Sequence, residues 1–343
     1  MRSRNGKHGE LDLLRQIRTR AAHAPRGGLR LGIGDDCALL RIGAGEELAV
    51  TTDLAIDGQH FRLEWHAPEA IGRRTLARGL SDLAAMGARP VAAFLSLGLP
   101  RALVQNQKKI QNQKNWVERF FDGFFALAQK YDTPLAGGDL AESDTAVADI
   151  VLVGAVRRGK ALLRSGARPG DRLYVTGALG GAAAALERLA QLAAKTHKAT
   201  PGPPRIPGKL QAAFAPHLAP QPRLAQGEWL ARRGIASAAI DLSDGLSTDL
   251  AHLCEESGVA AEVDAGALPL HAGATLEQAL GGGEDYELLF AARPTARVPR
   301  RIAGVRVTRI GCILRRHKGR PAVTLVTPLG CQPLARRGWE HFS

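Results

Sequence analysis

The stretch Arg168-Pro169-Gly170-Asp171-Arg172-Leu173-Tyr174-Val175-Thr176 decides how the chain divides, because a Pro-Gly turn signal runs straight into an apolar, strand-like run. On its N-terminal side, Glu10 to Ala22 carries apolar residues at helical spacing, and Leu48 to Thr52 reads as a strand running into Asp53. Pro68 to Met86 and Trp116 to Tyr131 read as helices, Val91 to Leu97 and Ala148 to Val156 as strands. On its C-terminal side follow strand Arg172 to Thr176, a helix starting near Gly180, strand Ala236 to Asp241, helix Asp244 to Ser257, and strands Ala260 to Val263 and Tyr286 to Ala291. Strand and helix alternate on both sides of the turn, which predicts an α/β (α+β) fold of two α/β domains, 1–156 and 157–343. A length of 343 residues suits two domains. Lys195 to Pro222, rich in Pro, Ala and His, reads as an exposed connection, and Gln105 to Asn115 as a short polar insert.

Composition excludes several classes. With 45% hydrophobic and 23% charged residues the chain can bury ordinary cores. No apolar run approaches the ~18 to 20 residues of a membrane helix, and the first residues lack a signal peptide's apolar stretch, so no membrane association and a cytoplasmic location are expected. Four dispersed cysteines (Cys37, Cys254, Cys312, Cys331) with no C-x-x-C pair indicate neither a zinc ribbon nor a disulfide framework. The net charge of +13 invites a nucleic-acid reading, but it is concentrated at one end: Arg293 to Ser343 holds twelve Lys+Arg and one acid, Glu340. No aromatic residues interleave with Arg315, Arg316, Lys318 and Arg320, so this segment reads as a solvated face and nucleic acid is not the expected partner.

The acids carry more information than the bases. They gather at strand ends and glycine turns: Gly32-Ile33-Gly34-Asp35-Asp36, Thr51-Thr52-Asp53, Ser81-Asp82, Gly137-Gly138-Asp139, Asp241-Leu242-Ser243-Asp244-Gly245 and Gly282-Gly283-Glu284-Asp285. Any one of these alone reads as a helix cap or a turn. Six carboxylate motifs brought to one cleft would repel one another without cations. Magnesium takes oxygen ligands, usually one or two carboxylates with waters and substrate phosphates, and glycines let the backbone approach phosphate oxygens. The pattern therefore points to phosphoryl transfer assisted by several Mg²⁺ ions. Competing phosphate machinery is missing from the sequence. The Gly-Lys pairs at 6–7, 159–160 and 208–209 are followed by His, Ala and Leu, so there is no Walker A loop, and Gly32 to Cys37 does not complete G-x-G-x-x-G.

Nine ordered motifs make the sequence similar to a known family. They are GELDLL, LGIGDDCALL (Leu31 to Leu40), TTDLAIDGQHF (Thr51 to Phe61), LARGLSDLAAMGARP (Leu76 to Pro90), AGGD (Ala136 to Asp139), LLRSGARPGDRLYVTG (Leu162 to Gly177), AIDLSDGLSTDL (Ala239 to Leu250), GGGEDYELLF (Gly281 to Phe290) and GWEHF. Spread over nearly the whole chain, they resemble the thiamine-monophosphate kinases, a family within the superfamily of aminoimidazole ribonucleotide synthetase and selenophosphate synthetase. The resemblance implies ATP-dependent phosphorylation of thiamine monophosphate to thiamine diphosphate, with ADP as the other product. By matching position it implies Asp36, Thr51, Thr52, Asp53, Asp82, Asp139, Asp241 and Asp244 as magnesium ligands. It assigns Gly138, Asp139, Arg164 and Ser243 to the nucleotide, and His60, Glu284 and Trp339 to thiamine monophosphate. It also implies a homodimer whose N-terminal strands form a shared barrel. No catalytic base is expected, because the attacking phosphate oxygen is already anionic near neutral pH.

The chain departs from the family pattern at Leu140-Ala141-Glu142-Ser143, where small hydroxylated residues and an Arg are usual, and in its two inserts. Two alternatives remain open on the sequence alone. One is a sibling ATP-dependent enzyme acting on another small acceptor. The other is a nucleic-acid-binding protein using the basic C-terminal segment, which steep salt-dependent binding would reveal.

Overall fold

The computed structural model describes residues 10–21, 28–33, 37–105, 115–196 and 202–338. Asp36 and Trp339, like most of the polar insert after Gln105, lie outside the described residues. The chain forms two units, the first comprising 1–79, 90–155 and 199–204, the second 80–89, 156–198 and 205–343. No helix among the described residues is long and apolar enough to cross a membrane.

In the first unit, helix α1 (Glu10–Ala21) precedes the short strand pair β1 (Leu29–Leu31) and β2 (Leu39–Leu40). Strand β3 (Glu46–Ile56) is followed by helix α2 (Pro68–Ala85), whose residues from Leu80 onward belong to the second unit, then β4 (Arg89–Leu99), the short α3 (Arg101–Gln105), α4 (Trp116–Lys130), β5 (Leu135–Glu142) and β6 (Val147–Arg157). Among the described residues these strands form a four-stranded sheet in the order β3-β6-β4-β5, with β4 and β5 parallel. The α4 helix starts at a capping box in which Asn115 accepts from the Glu118 N–H and Glu118 accepts from the Asn115 N–H. Its face of Phe120, Phe121, Phe124 and Leu127 is buried. Helices α2 and α4 come into backbone contact: a Cβ on Gly123 would lie 1.8 Å from the Glu69 carbonyl oxygen, and one on Gly72 2.0 Å from that of Phe120.

The second unit opens with β7 (Arg172–Thr176), then α5 (Gly181–Thr196), α6 (Gln211–Leu218), α7 (Leu224–Arg233), β8 (Ala236–Asp241), α8 (Leu246–Ser257) and β9 (Val259–Asp264). After α9 (Leu276–Gly281) come β10 (Leu288–Ala292), β11 (Arg301–Ile302), β12 (Val305–Arg315), β13 (Val323–Thr327) and β14 (Gly330–Pro333). Among the described residues the sheet runs β14-β13-β9-β12-β7-β10-β8, with β11 paired to β12. The β9–β13 pairing is parallel, whereas β12 with β9, β12 with β7, and β10 with both β7 and β8 are antiparallel. Leu173, Val175, Ile240, Leu250, Leu253, Val263, Leu289, Ile310 and Ile313 form its core.

Two expectations need correction. Lys195 to Pro222 is not simply an exposed connection, since its C-terminal part contains α6, with Phe214 and His217 buried. Pro216 inside that helix disguises it in the sequence; packing of α6 on α5 holds it nonetheless. The helix expected from Asp244 begins at Leu246, after the Gly245 N-cap, so Asp244 lies in the preceding loop. In the basic C-terminal segment, Arg306 and Arg309 fall on exposed positions of β12, whose Val307, Ile310 and Ile313 are buried. Arg315, Arg316, Lys318 and Arg320 are exposed.

Candidate active site

In the second unit the carboxylates are organised by the end of β8. Its small and branched residues bury Ala238, Ala239 and Ile240, which carries Asp241 inward at the last strand position, only 3% exposed. Ser81, fully buried on α2, donates from Oγ to Asp241 Oδ2 at 2.7 Å. Burial above all, and then the neighbouring Asp82 charge, pushes the Asp241 carboxyl up to about 7, with Asp244 adding to the rise. The Ser81 hydrogen bond and the Arg164 guanidinium pull the other way. Asp82, Asp241, Asp244 and Arg164 therefore share one electrostatic neighbourhood in which negative charge is under-compensated.

The loop after Asp241 is held by a residue that the sequence reading passed over. Asp249, in the first turn of α8, accepts from the Gly245 N–H at 3.0 Å and the Asp244 N–H at 3.2 Å. Burial, with Asp241 and Asp244 nearby, raises its carboxyl well above the ordinary range. Its signal in the sequence is the acid four positions beyond Gly245, within Ala239 to Leu250. Glu284 joins the same loop: its N–H donates to the Ser243 carbonyl at 2.7 Å, and the Tyr286 N–H to that of Leu242 at 2.9 Å. Both Glu284 (φ 66°) and Tyr286 (φ 50°) have left-handed backbones.

Because β10 is antiparallel to β7 and β8, this loop shares a sheet end with a cavity of about 850 Å³. Pro216, Arg223, His271, Asp285, Glu287 and Arg306 are among its walls. Asp285 accepts from the Gly180 N–H at 2.7 Å and the Ala182 N–H at 3.2 Å, capping the start of α5. Burial nevertheless pushes its carboxyl up to about 7. A folded-state pKa above the unfolded one means that the native protein retains a proton the unfolded chain releases. The Asp285 contribution to stability is thus full below the ordinary carboxylate range and declines as pH rises through about 7. Asp285→Asn should flatten the fall in Tm between about pH 5 and about pH 8; an unchanged profile measured by thermal denaturation would refute the assignment.

In the first unit, Thr51 and Asp53 share one face of β3, while Thr52 lies on the other, so the structure does not bring these three side chains to a common point. Arg78 forks onto Asp53, donating from Nε to Oδ2 at 2.9 Å and from Nη2 to Oδ1 at 2.6 Å. His60, just beyond β3, accepts through Nδ1 from the Ile56 N–H at 3.1 Å. Gly138 and Asp139 lie on β5, paired with Leu95 and Ser96 of β4. With φ at 152° and a would-be Cβ only 1.9 Å from the Leu95 carbonyl oxygen, position 138 accepts only glycine. Gly137, Gly138 and Asp139 line a cavity of about 450 Å³ together with Ile33, Phe94 and Phe121.

No group of three or more His, Cys, Asp or Glu side chains among the described residues is assembled as a metal cage. The donors present are hard oxygens, and the mutual repulsion around Asp241 is of the kind a hard divalent cation relieves. Magnesium needs few protein ligands and keeps waters and phosphates, so the residue types fit it.

Comparison with known proteins defines the class. Residues 34–156 match the family model for the N-terminal domain of AIR synthase related proteins, and residues 168–323 match that for their C-terminal domain. The thiamine-monophosphate kinase of Salmonella typhimurium is 41% identical over 290 residues, which is 82% of each chain. The crystal structure of the Stenotrophomonas maltophilia thiamine-monophosphate kinase superposes with a TM-score of 0.74 at 38% identity, covering 93% of this chain and 96% of that one. The structure of AaThiL complexed with AMPPCP and TMP superposes with a TM-score of 0.72 at 29% identity over 97% of both chains. The chain belongs to the thiamine-monophosphate kinase family.

Proposed function

We propose that this protein transfers the γ-phosphoryl group of ATP to the phosphate of thiamine monophosphate, releasing thiamine diphosphate and ADP. The observation that carries the reading is the crowding of Asp82, Asp241 and Asp244, with Asp241 pushed up to about 7, in a family whose members are named for this reaction. Asp36, Thr51, Asp53, Asp82, Asp139, Asp241 and Asp244 are the proposed holders of magnesium; the Thr52 side chain, on the opposite face of β3 from Thr51 and Asp53, is not placed with them. Magnesium held there would supply neutralisation of the phosphate charge. Gly138, Asp139, Arg164 and Ser243 serve the nucleotide: Gly138 and Asp139 line the 450 Å³ cavity, and the Arg164 guanidinium supplies positive charge. His60, Glu284 and Trp339 serve thiamine monophosphate. No side chain needs to remove a proton, since the attacking phosphate oxygen is anionic; the protein positions the two phosphates and excludes water. Incubation of the purified protein with ATP, Mg²⁺ and thiamine monophosphate should yield thiamine diphosphate and ADP in equal amounts. Consumption of ATP without thiamine diphosphate would point to a sibling reaction instead.

The working form is proposed to be a homodimer joined through β3. Leu48, Val50 and Leu54 are 52%, 61% and 46% exposed on one face of this edge strand, an apolar row that a second copy would cover. Val50→Asp should weaken self-association about 10-fold to 100-fold, consistent with loss of a central apolar contact. Light scattering across a dilution series checks this, and a wild-type mass that stays monomeric at working concentration contradicts the dimer.

A further inference from the structure

We infer that His217 is a positioning residue for the acceptor, acting through Glu284; the inference rests on the proposed contact of Glu284 with thiamine monophosphate. His217 sits on α6, in a segment whose sequence reads as a loop, and its side chain is 1% exposed. Its Nδ1 lies 3.1 Å from Glu284 Oε2, while the Glu284 side chain retains 23% of its exposure. With Glu284 ionised, its carboxylate only accepts hydrogen bonds and Nδ1 of His217 is the donor. Glu284 thus has one oxygen tied to a fixed, buried donor and part of its surface open.

The geometry requires such a tether. Glu284 is not glycine, yet its backbone is left-handed at φ 66°, a conformation that persists where surrounding contacts over-determine it. On its backbone side those contacts are the hydrogen bonds that stitch 284 and 286 to the Ser243 and Leu242 carbonyls, beside the carboxylate cluster. On its side-chain side His217 Nδ1 approaches Oε2. The neighbouring Pro216 lines the 850 Å³ cavity, so α6 presents its residues to both the cavity and the Glu284 loop. A carboxylate fixed in this way is suited to a cationic, hydrogen-bonding ring system, and its direction is set by α6 as well as by its own loop.

The test compares three single variants and one double variant by calorimetric binding of thiamine monophosphate and by steady-state kinetics. His217→Leu removes the donor while keeping an apolar group of similar bulk; it should weaken thiamine monophosphate binding about 10-fold and leave KM for ATP within about two-fold. His217→Asn places an N–H near the Nδ1 position and should recover most of the lost affinity. Glu284→Gln should weaken binding by itself, and His217→Leu added to Glu284→Gln should cost little more, because the two act as one unit. If Glu284→Gln leaves affinity unchanged, the acceptor assignment of Glu284 fails and the inference with it. If Glu284→Gln weakens binding but His217→Leu does not, the assignment stands and the inference alone is overturned. If His217→Leu and His217→Asn lower Tm equally and shift both substrates' constants together, His217 is a packing residue, which also overturns it.

Discussion

Asp82→Asn is expected to lower kcat by about 100-fold to 1,000-fold at ordinary Mg²⁺ while leaving the metal-free fold at least as stable as wild type. The two halves of this expectation come from the same interaction. Asp82 is the largest charged contributor to the rise in the Asp241 carboxyl, so in the absence of cations the two charges oppose each other. Removing one by an isosteric amide relieves the native state of that repulsion, but it also removes an anionic oxygen from the proposed cation site. Activity and stability should therefore move in opposite directions, which general damage to the fold cannot produce. Turnover close to wild type at low Mg²⁺ would remove Asp82 from the site. Asp53→Asn should also lose activity, but it breaks the Arg78 fork, so its stability should fall rather than rise.

The largest expected effect on stability is at Arg223. Glu287 is buried on the strand side of the Glu284 loop, its side chain 5% exposed. Its carboxylate accepts from Arg223 Nε at 2.6 Å, from Arg223 Nη2, and from Thr176 Oγ1 at 2.6 Å. Arg223→Met would leave a buried carboxylate with Thr176 as its remaining side-chain donor among the described residues, and breaking a buried pair from one side costs about 3 to 5 kcal/mol. At about 2 to 4 °C per kcal/mol for a domain of this size, Tm should fall by about 6 to 20 °C. Adding Glu287→Leu to Arg223→Met should restore much of the loss, since removing both charges leaves nothing unpaired. A loss below about 1 kcal/mol for the single variant would mean that the pair is solvated and structurally idle. The Glu287 carbonyl accepts from the Leu242 N–H at 2.8 Å, so the destabilised variant should lose activity through the Asp241 to Gly245 loop as well.

Much of the fold was legible because its strands are short apolar runs bounded by turn residues. Arg172–Thr176 and Ala236–Asp241 appear with the boundaries that the sequence suggests, and both end next to site motifs. The β5 strand was not legible, because Leu135–Glu142 contains two adjacent glycines, which ordinarily mark a turn. Here they let β5 lie against β4, where the Leu95 carbonyl leaves no room for a side chain at 138. The α6 helix was hidden for the opposite reason, since Pro216 argues against helix locally and packing on α5, with Phe214 and His217 buried, sustains it.

The candidate site was legible as residue types but not as relationships. The sequence pointed to Asp241, Asp244 and Asp82, because carboxylates at strand ends in a basic chain stand out. It could not reveal the Ser81 hydrogen bond to Asp241, which spans 160 positions, nor Arg78 on Asp53. Asp249 and His217 escaped for a similar reason: an acid in a helix's first turn and a histidine in a Pro-rich stretch have ordinary explanations until their partners are seen.

The most direct measurement of the central claim follows the phosphoryl group itself. ATP radiolabelled only at the γ-phosphoryl is incubated with the full chain, Mg²⁺ and thiamine monophosphate, and the products are separated. Transfer predicts label in thiamine diphosphate, at its terminal phosphate, with ADP unlabelled and little inorganic phosphate formed. Label found only in inorganic phosphate, or retained in ATP over many turnover times, would contradict it.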